Sequence, residues 1–169
     1  MKYWHLLMTK PREDQRAESH LLSQDYELFR PMIRQFKIKG GKQQAVIEPL
    51  FPRYLFIRLD DVAGNWSRIR STRGVSKMVR FTDMPAKVPD SLIEVLRSQC
   101  VQDNIIDTTV EKPFVFEKGD KIEITEGSFR GITAFIKEQV AEDRVLLLLT
   151  LLGKQQELEM SLNQVKSTT

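Results

Sequence analysis

Apolar and polar positions along this chain follow two periods, one near 2 and one near 3.6, and the switches between them predict its elements. "KYWHLLM" at Lys2 to Met8 opens as a strand, and from about Arg12 to Gln24 the pair Ala17 and Leu21 marks the buried side of a helix. "MIRQFKIKG" and "KQQAVIEPLFP" surround Gly40-Gly41, a hairpin signal, and "RYLFIRL" follows with the aromatic and β-branched residues of a strand. After a polar segment, "GVSKMVRF" is another short strand. "VPDSLIEVLRSQ" starts a helix at Pro89 and Asp90, with Leu92, Ile93 and Leu96 as its apolar face. The order β, α, β, β, β, α predicts an α+β fold, an antiparallel sheet with packed helices, over residues 1–101.

The pattern then loses its period. "QDNIIDTTVEKP", residues 102–113, ends in proline and reads as a linker to a separate small module over residues 114–169. Within that module "RVLLLLTLLGKQQELEMSL" fits two templates. Val145, Leu148, Leu149 and Leu152 have the spacing of a helical face, whereas Gly153-Lys154 resembles a turn after which Leu158, Met160 and Leu162 alternate as in a strand. Both readings stand at this level.

Composition narrows the class. The chain of 169 residues has one cysteine, Cys100, and two histidines, His5 and His20, so no internal disulfide and no metal-ligand spacing is expected, and Cys100 reads as a buried, inert thiol. The longest apolar run, Val145 to Leu152, is far short of the roughly 20 residues that span a membrane. Met1 to Thr9 lacks the apolar centre of a signal peptide, so a cytoplasmic monomer with no membrane contact is expected. Net charge is +3, divided as +6 over Met1–Asp103 and −3 over the remainder, which implies parts with different partners or parts that attract each other.

No phosphate-cradling glycine loop, nucleophile elbow or paired catalytic carboxylates occur, so no enzyme and no cofactor is expected. Two surfaces are candidates for binding. Arg16 and His20 share a helix face beside Arg12, with Lys10 preceding and "SRIRSTRG" adding Arg68, Arg70 and Arg73: a patch for phosphates and unpaired bases, or an ordinary solvated surface. Lys37, Lys39 and Lys42 on the hairpin read as solubility charges. "EPLFPRYLF" gathers Leu50, Phe51, Tyr54 and Phe56 between prolines, with Phe81, Ile93 and Leu96 able to extend it: a docking patch or a plain core.

"EPLFPRYLFIRL", "TRGVSKMVRF" and "GDKIEITEGSFRGITAFI", in that order and spacing, resemble the NusG family of transcription elongation factors, most closely its specialised RfaH-type branch. The last run is similar to the KOW motif, with Gly119, Gly127 and Gly131 at its turns. The resemblance implies an N-terminal domain that binds RNA polymerase. Leu50, Phe51, Pro52, Tyr54, Phe56, Phe81, Ile93 and Leu96 would dock on the clamp helices, reducing pausing and termination. It also implies that Lys10, Arg16, His20, Gln24, Thr72 and Arg73 touch the non-template DNA strand of an operon-specific element. An interdomain ion pair would join Glu48 to Arg144. The C-terminal module would be an α-helical hairpin over the docking patch when autoinhibited and a KOW β-barrel when released. The released barrel would recruit the ribosome through small-subunit ribosomal protein S-ten. Phe129, Ile132, Ile136 and Val140 at helical spacing, against Ile122 and Ile124 alternating as a strand, are compatible with two folds. RfaH-type members carry His-Thr-Thr at a contact with the polymerase gate loop; this chain has Asn65-Trp66-Ser67, and Pro11 and Glu13 also depart from that pattern. A general NusG-type factor with a permanently β C-terminal domain is the alternative.

Overall fold

The structure, a computed structural model, describes residues 1–109 and 140–167, with side-chain environments up to Lys154. Its centre is an antiparallel sheet in the order β2 (Glu27–Phe29), β5 (Tyr54–Leu59), β1 (Tyr3–Thr9), β6 (Val75–Met78), with β9 (Lys87–Val88) also pairing β1. Strand alternation sends neighbouring side chains to opposite faces, so this sheet builds two cores. Leu7, Leu55 and Ile57 pack under α1 (Asp14–Leu22) and α2 (Val62–Arg70) through Ala17, Leu21 and Ile69. Trp4, Leu6, Phe29 and Phe56 point the other way. There they meet Leu92, Ile93 and Leu96 of α3 (Asp90–Gln99) and Leu148 and Leu152 of α4 (Ala141–Ser167).

A second sheet runs β10 (Cys100–Gln102), β11 (Ile105–Asp107), β3 (Met32–Lys39), β4 (Lys42–Pro49). The β3–β4 hairpin turns at Gly40 and Gly41, whose φ values of 58° and 76° are the double positive of the two-residue turn that suits strand twist. β7 (Arg80–Phe81) and β8 (Met84–Pro85) form a short separate ribbon. The mixed α+β fold with its sheet and helices agrees with the expectation for the N-terminal part.

Several local expectations change. The polar segment after β5 is helix α2: Asp61 caps it by accepting from the Gly64 N–H at 3.0 Å, and Val62, Trp66 and Ile69 supply a sparse apolar stripe. The stretch read as a linker from residue 102 begins as sheet. Ile105 and Ile106 lie parallel to Met32 and Ile33, Ile106 is buried, and Asp107 pairs with Arg34 at 2.9 Å. Helix α1 is shorter than Arg12–Gln24 because Arg12 takes φ 62° before it. Residues 144–153 are helical throughout, so Gly153-Lys154 is no turn; the Phe81 ring lies against Gly153. The KOW-like run with Gly119, Gly127 and Gly131, the candidates Ile122, Ile124, Phe129, Ile132 and Ile136, and residues 110–113 lie outside the described residues, as do the side chains of Leu158, Met160 and Leu162. Cys100 is half-buried, and burial pushes its thiol up to about 11, so it stays protonated at neutral pH.

Gly74 ties the loop after α2 to α1. It has φ 90°, its carbonyl accepts from the Lys10 N–H at 2.8 Å, and a Cβ there would sit 2.8 Å from the Ala17 backbone nitrogen. Gly74→Ala should therefore lose roughly 2 to 4 kcal/mol from backbone strain and overpacking together, read as a lower urea midpoint; an unchanged midpoint would show that the loop can move away.

Candidate functional site

The apolar candidates do come together, around the start of α4. Leu50, Phe51, Phe56, Ile93 and Leu96 are buried in one cluster with Leu148 and Leu152, and Tyr54 and Phe81 pack at its edge. Pro52 lies to one side, lining a cleft described below. Phe51 meets Phe56 edge-on with ring centroids 6.1 Å apart, and Phe56 stacks on Phe29 at 5.9 Å. Helix α4 supplies Arg144, Leu148 and Leu152, four residues apart, as its buried line, while Val145, Leu147, Leu149 and Leu151 are partly covered. Each fully buried leucine contributes about 1.5 to 3 kcal/mol of apolar transfer, so the helix is held chiefly by its leucines.

Arg144 has no exposed surface at all. Its Nε donates to the Leu50 carbonyl at 2.8 Å and its Nη2 donates to Glu48 Oε1 at 3.0 Å. Glu48 is a hub: it also accepts from Gln35 Nε2 at 2.5 Å and from Lys37 Nζ at 2.6 Å. Burial raises the Glu48 carboxyl pKa, but the hydrogen bonds and charges of Lys37 and Arg144 outweigh it and leave the group below its ordinary value. Strand β4 places Glu48 opposite Ile33, on the hairpin face turned toward α4, immediately before the chain leaves the sheet at Pro49 and Leu50.

The basic candidates form a second surface on the opposite side of the central sheet. Arg16 and His20 are exposed on α1, Arg73 is exposed in the loop after α2, and Lys10 is exposed before α1. Gln24 joins the two segments: its Nε2 donates to Thr72 Oγ1 at 2.9 Å and its Oε1 accepts from Arg68 Nε at 3.1 Å. Thr72 is buried and its hydroxyl donates to the Arg68 carbonyl at 3.0 Å, so it orders the loop and presents little surface of its own. Arg16 is partly neutralised by Glu13 at 2.9 Å. Arg68 contributes as well; it lies over the Tyr26 ring, 5.8 Å from its centroid. Asn65 and Trp66 are half-buried on α2: Asn65 Oδ1 accepts from the Tyr26 hydroxyl at 3.2 Å and Trp66 packs into the α1–α2 core, leaving Ser67 exposed.

Among the described residues no group of three or more His, Cys, Asp or Glu side chains could hold a metal ion, and no helix is long and apolar enough to cross a membrane.

Two outcomes test the Glu48–Arg144 junction. Glu48→Ala takes the carboxylate from a buried guanidinium and should weaken α4 docking by about 3 to 5 kcal/mol, whereas Arg144→Met removes the buried charge with its partner's loss covered by Lys37 and Gln35, and should cost much less. Amide exchange at Val145 to Leu152 reads the difference; equal protection in both variants would refute the assignment. The depressed Glu48 pKa gives the pH sign: its contribution is complete above the ordinary 4.5 and is lost as pH falls through the lowered folded value, so α4 protection should decline in acid.

Comparison with known proteins follows the same division of the chain. A family model described as "Transcription termination factor nusG" matches residues 2–97, the part that carries both surfaces. The chain is 22% identical over 176 residues to the "Transcription termination/antitermination protein NusG" of Rickettsia felis, covering 98% of this chain and 90% of that protein. It is 24% identical over 180 residues to the protein of the same name from Thermus thermophilus, covering 96% of each. A solved structure titled "Domain interaction in Thermotoga maritima NusG" overlaps 56% of this chain and 55% of its own at 18% identity with a TM-score of 0.37, a likeness too slight to carry an argument.

Proposed function

The chain belongs to the NusG family of transcription factors, and from that premise we propose that it regulates transcript elongation and termination by docking its apolar surface, Leu50, Phe51, Tyr54, Phe56, Phe81, Ile93 and Leu96, on RNA polymerase. The observation that carries this reading is the cover on that surface. A soluble protein does not leave so large an apolar area bare, and here Leu148 and Leu152 of α4 occupy it in a sequence-distant, intramolecular contact. Polymerase clamp helices would replace α4 on the same residues. Holding the clamp would oppose pausing and termination.

The names of the relatives support a general NusG-type factor, the alternative set out from the sequence. A second reading has its own support: helix α4 and the buried Arg144 fit a specialised, RfaH-like member that is autoinhibited until release. In that reading residues 1–101 form the polymerase-binding domain, 102–113 link it onward, and 114–169 switch to a KOW-type barrel able to meet the ribosome through protein S-ten. Ile105–Asp107 of that stretch lie in the second sheet, and the Thr108 N–H donates to the Arg34 carbonyl. The exposed Lys10, Arg16, His20 and Arg73, ordered by Gln24 and Thr72, would contact the non-template strand through its phosphates and unpaired bases. Ser67 alone of Asn65-Trp66-Ser67 would be free for the gate loop.

Glu48→Lys separates the two readings. It places a cation beside Arg144, so a specialised, switching chain should lose helical far-UV circular dichroism and gain affinity for core polymerase. A general factor should change in neither respect. In either case Tyr54→Ala should weaken polymerase binding and its antipausing effect about tenfold, as the loss of one aromatic anchor does; undiminished binding would remove the docking assignment. Arg73→Ala should lower affinity for a scaffold with an open non-template strand and flatten the salt dependence by about one charge.

A further inference from the structure

Helix α4 reaches one face of the β3–β4 hairpin at its foot, through Arg144 and Glu48, and on the other face the described residues leave apolar side chains exposed. Cross-strand partners point the same way, so the pairs Arg34–Ile47, Phe36–Ala45 and Ile38–Gln43 share one face, while Gln35–Val46, Lys37–Gln44 and Ile33–Glu48 share the face toward Arg144. On the first of these faces Phe36 and Ile47 are each 49% exposed and Ile38 is 78% exposed, an apolar strip on a two-stranded arm. From Met32 to Ile38 this face is about 20 Å long at strand rise, with Arg34, paired with Asp107, interrupting the apolar side chains of β3 and Ile47 of β4 bridging the gap.

The strip runs at its foot into a cleft of about 520 Å³, walled by Met32, Pro49 and Pro52 and edged by Arg12, Arg30 and Arg53. Arg30 is committed to Glu18 through two contacts of 3.2 and 3.3 Å. Arg12 and Arg53 make no ion pair among the described residues. The strip and cleft therefore combine apolar side chains along an extended line with the guanidinium groups of Arg12 and Arg53 at one end, the latter donating through Nε to the Thr9 carbonyl at 3.1 Å, and with the buried Asp14 also among the lining residues.

We propose that this face is a second docking surface for RNA polymerase, taking an acidic segment of the enzyme that also carries apolar side chains, and that it is open while α4 covers the first surface. The proposal rests on the polymerase-binding reading above. Charge complementarity sets the acidic character: carboxylates answer Arg12 and the Nη groups of Arg53, whose charges no ion pair neutralises among the described residues, and the N-terminal part of the chain is cationic as a whole. A nucleic-acid strand fits less well. Two of the three strip residues are isoleucine, which gives bases no stacking face, and Lys37, Lys39 and Lys42 lie on the opposite side of the hairpin where phosphates on this face would not meet them. A contact made here first would raise the local concentration of the clamp beside α4 and so favour its displacement.

The test places p-benzoylphenylalanine in place of Ile38 in the full chain, adds a halted elongation complex, irradiates, and maps the adducts by mass spectrometry. The expected adduct is on an acidic protein segment of the polymerase. An adduct on nucleic acid overturns the proposal. So does no adduct at all when the same photoreactive residue in place of Tyr54, in a Glu48→Lys chain, does cross-link. Failure at both positions overturns the polymerase reading and this proposal together. Independently, Phe36→Ser with Ile38→Ser, and Arg12→Glu alone, are surface changes that should leave circular dichroism unchanged and slow association with polymerase about tenfold; unchanged association kinetics would overturn the proposal.

Discussion

A guanidinium without exposed surface has to find acceptors inside the protein, and among the described residues Arg144 meets the Glu48 carboxylate and the Leu50 carbonyl. Leaving such a charge unpaired costs several kcal/mol, while the formed pair contributes little net stability. The division of labour follows. Leu148 and Leu152 supply most of the free energy that keeps α4 against the sheet, and Arg144 decides where along the helix the contact forms. Slipping α4 by one residue would turn the leucines away and strand the guanidinium at once. The apolar surface is therefore covered in one register or not covered.

Strand β4 links that junction to the rest of the molecule. Its alternation sends Glu48 toward α4 and Ile47 toward the open side, so one short segment builds the lock on one face and an exposed apolar edge on the other. Immediately beyond it, Leu50 and Phe51 turn into the core beneath α4 while Pro49 and Pro52 stay at the cleft. Prolines suit this place because they end a ladder without leaving an unpaired N–H. The covered and uncovered surfaces are thus a few residues apart in the chain and back to back in space.

Much of this was legible in the amino-acid sequence, and the gaps have physical reasons. The hairpin was clear because Gly40-Gly41 sits between two alternating runs, and the gathering of Leu50, Phe51, Tyr54 and Phe56 was clear from aromatic density. Whether those residues were core or docking patch was not, because that depends on what lies over them. Helix α2 was missed since its apolar stripe has only Val62, Trp66 and Ile69 among polar and charged residues; the cap at Asp61 was the available signal. Ile105–Asp107 was read as linker because three residues carry no period, and only the neighbouring β3 makes a strand of them. The leucine run satisfied helix and strand templates together, and tertiary contact, which no window of sequence contains, is what favours the helix here. The residue roles assigned on resemblance had no signature in spacing. Thr72 illustrates this, since the resemblance implies a contact with the non-template strand while its hydroxyl donates to the Arg68 carbonyl and accepts from Gln24, a tertiary arrangement no spacing signals.

The close fit at Gly74 has a meaning for the basic surface as a whole. Lys10 is tied to Gly74 through the backbone, Gly74 rests on Ala17, and Gln24 bridges to Thr72 and Arg68, so three separate stretches of chain that carry cations are joined by contacts made on folding. A polyanion meeting mobile lysines can adjust them to its own spacing and must bear the entropy of ordering them. A polyanion meeting this surface would find its backbone anchors already spaced, with only the exposed side-chain ends left to adjust. Were this surface to meet a strand, it would act as a ruler whose ordering cost was met during folding, and phosphates out of step with it would bind less well before any base was read.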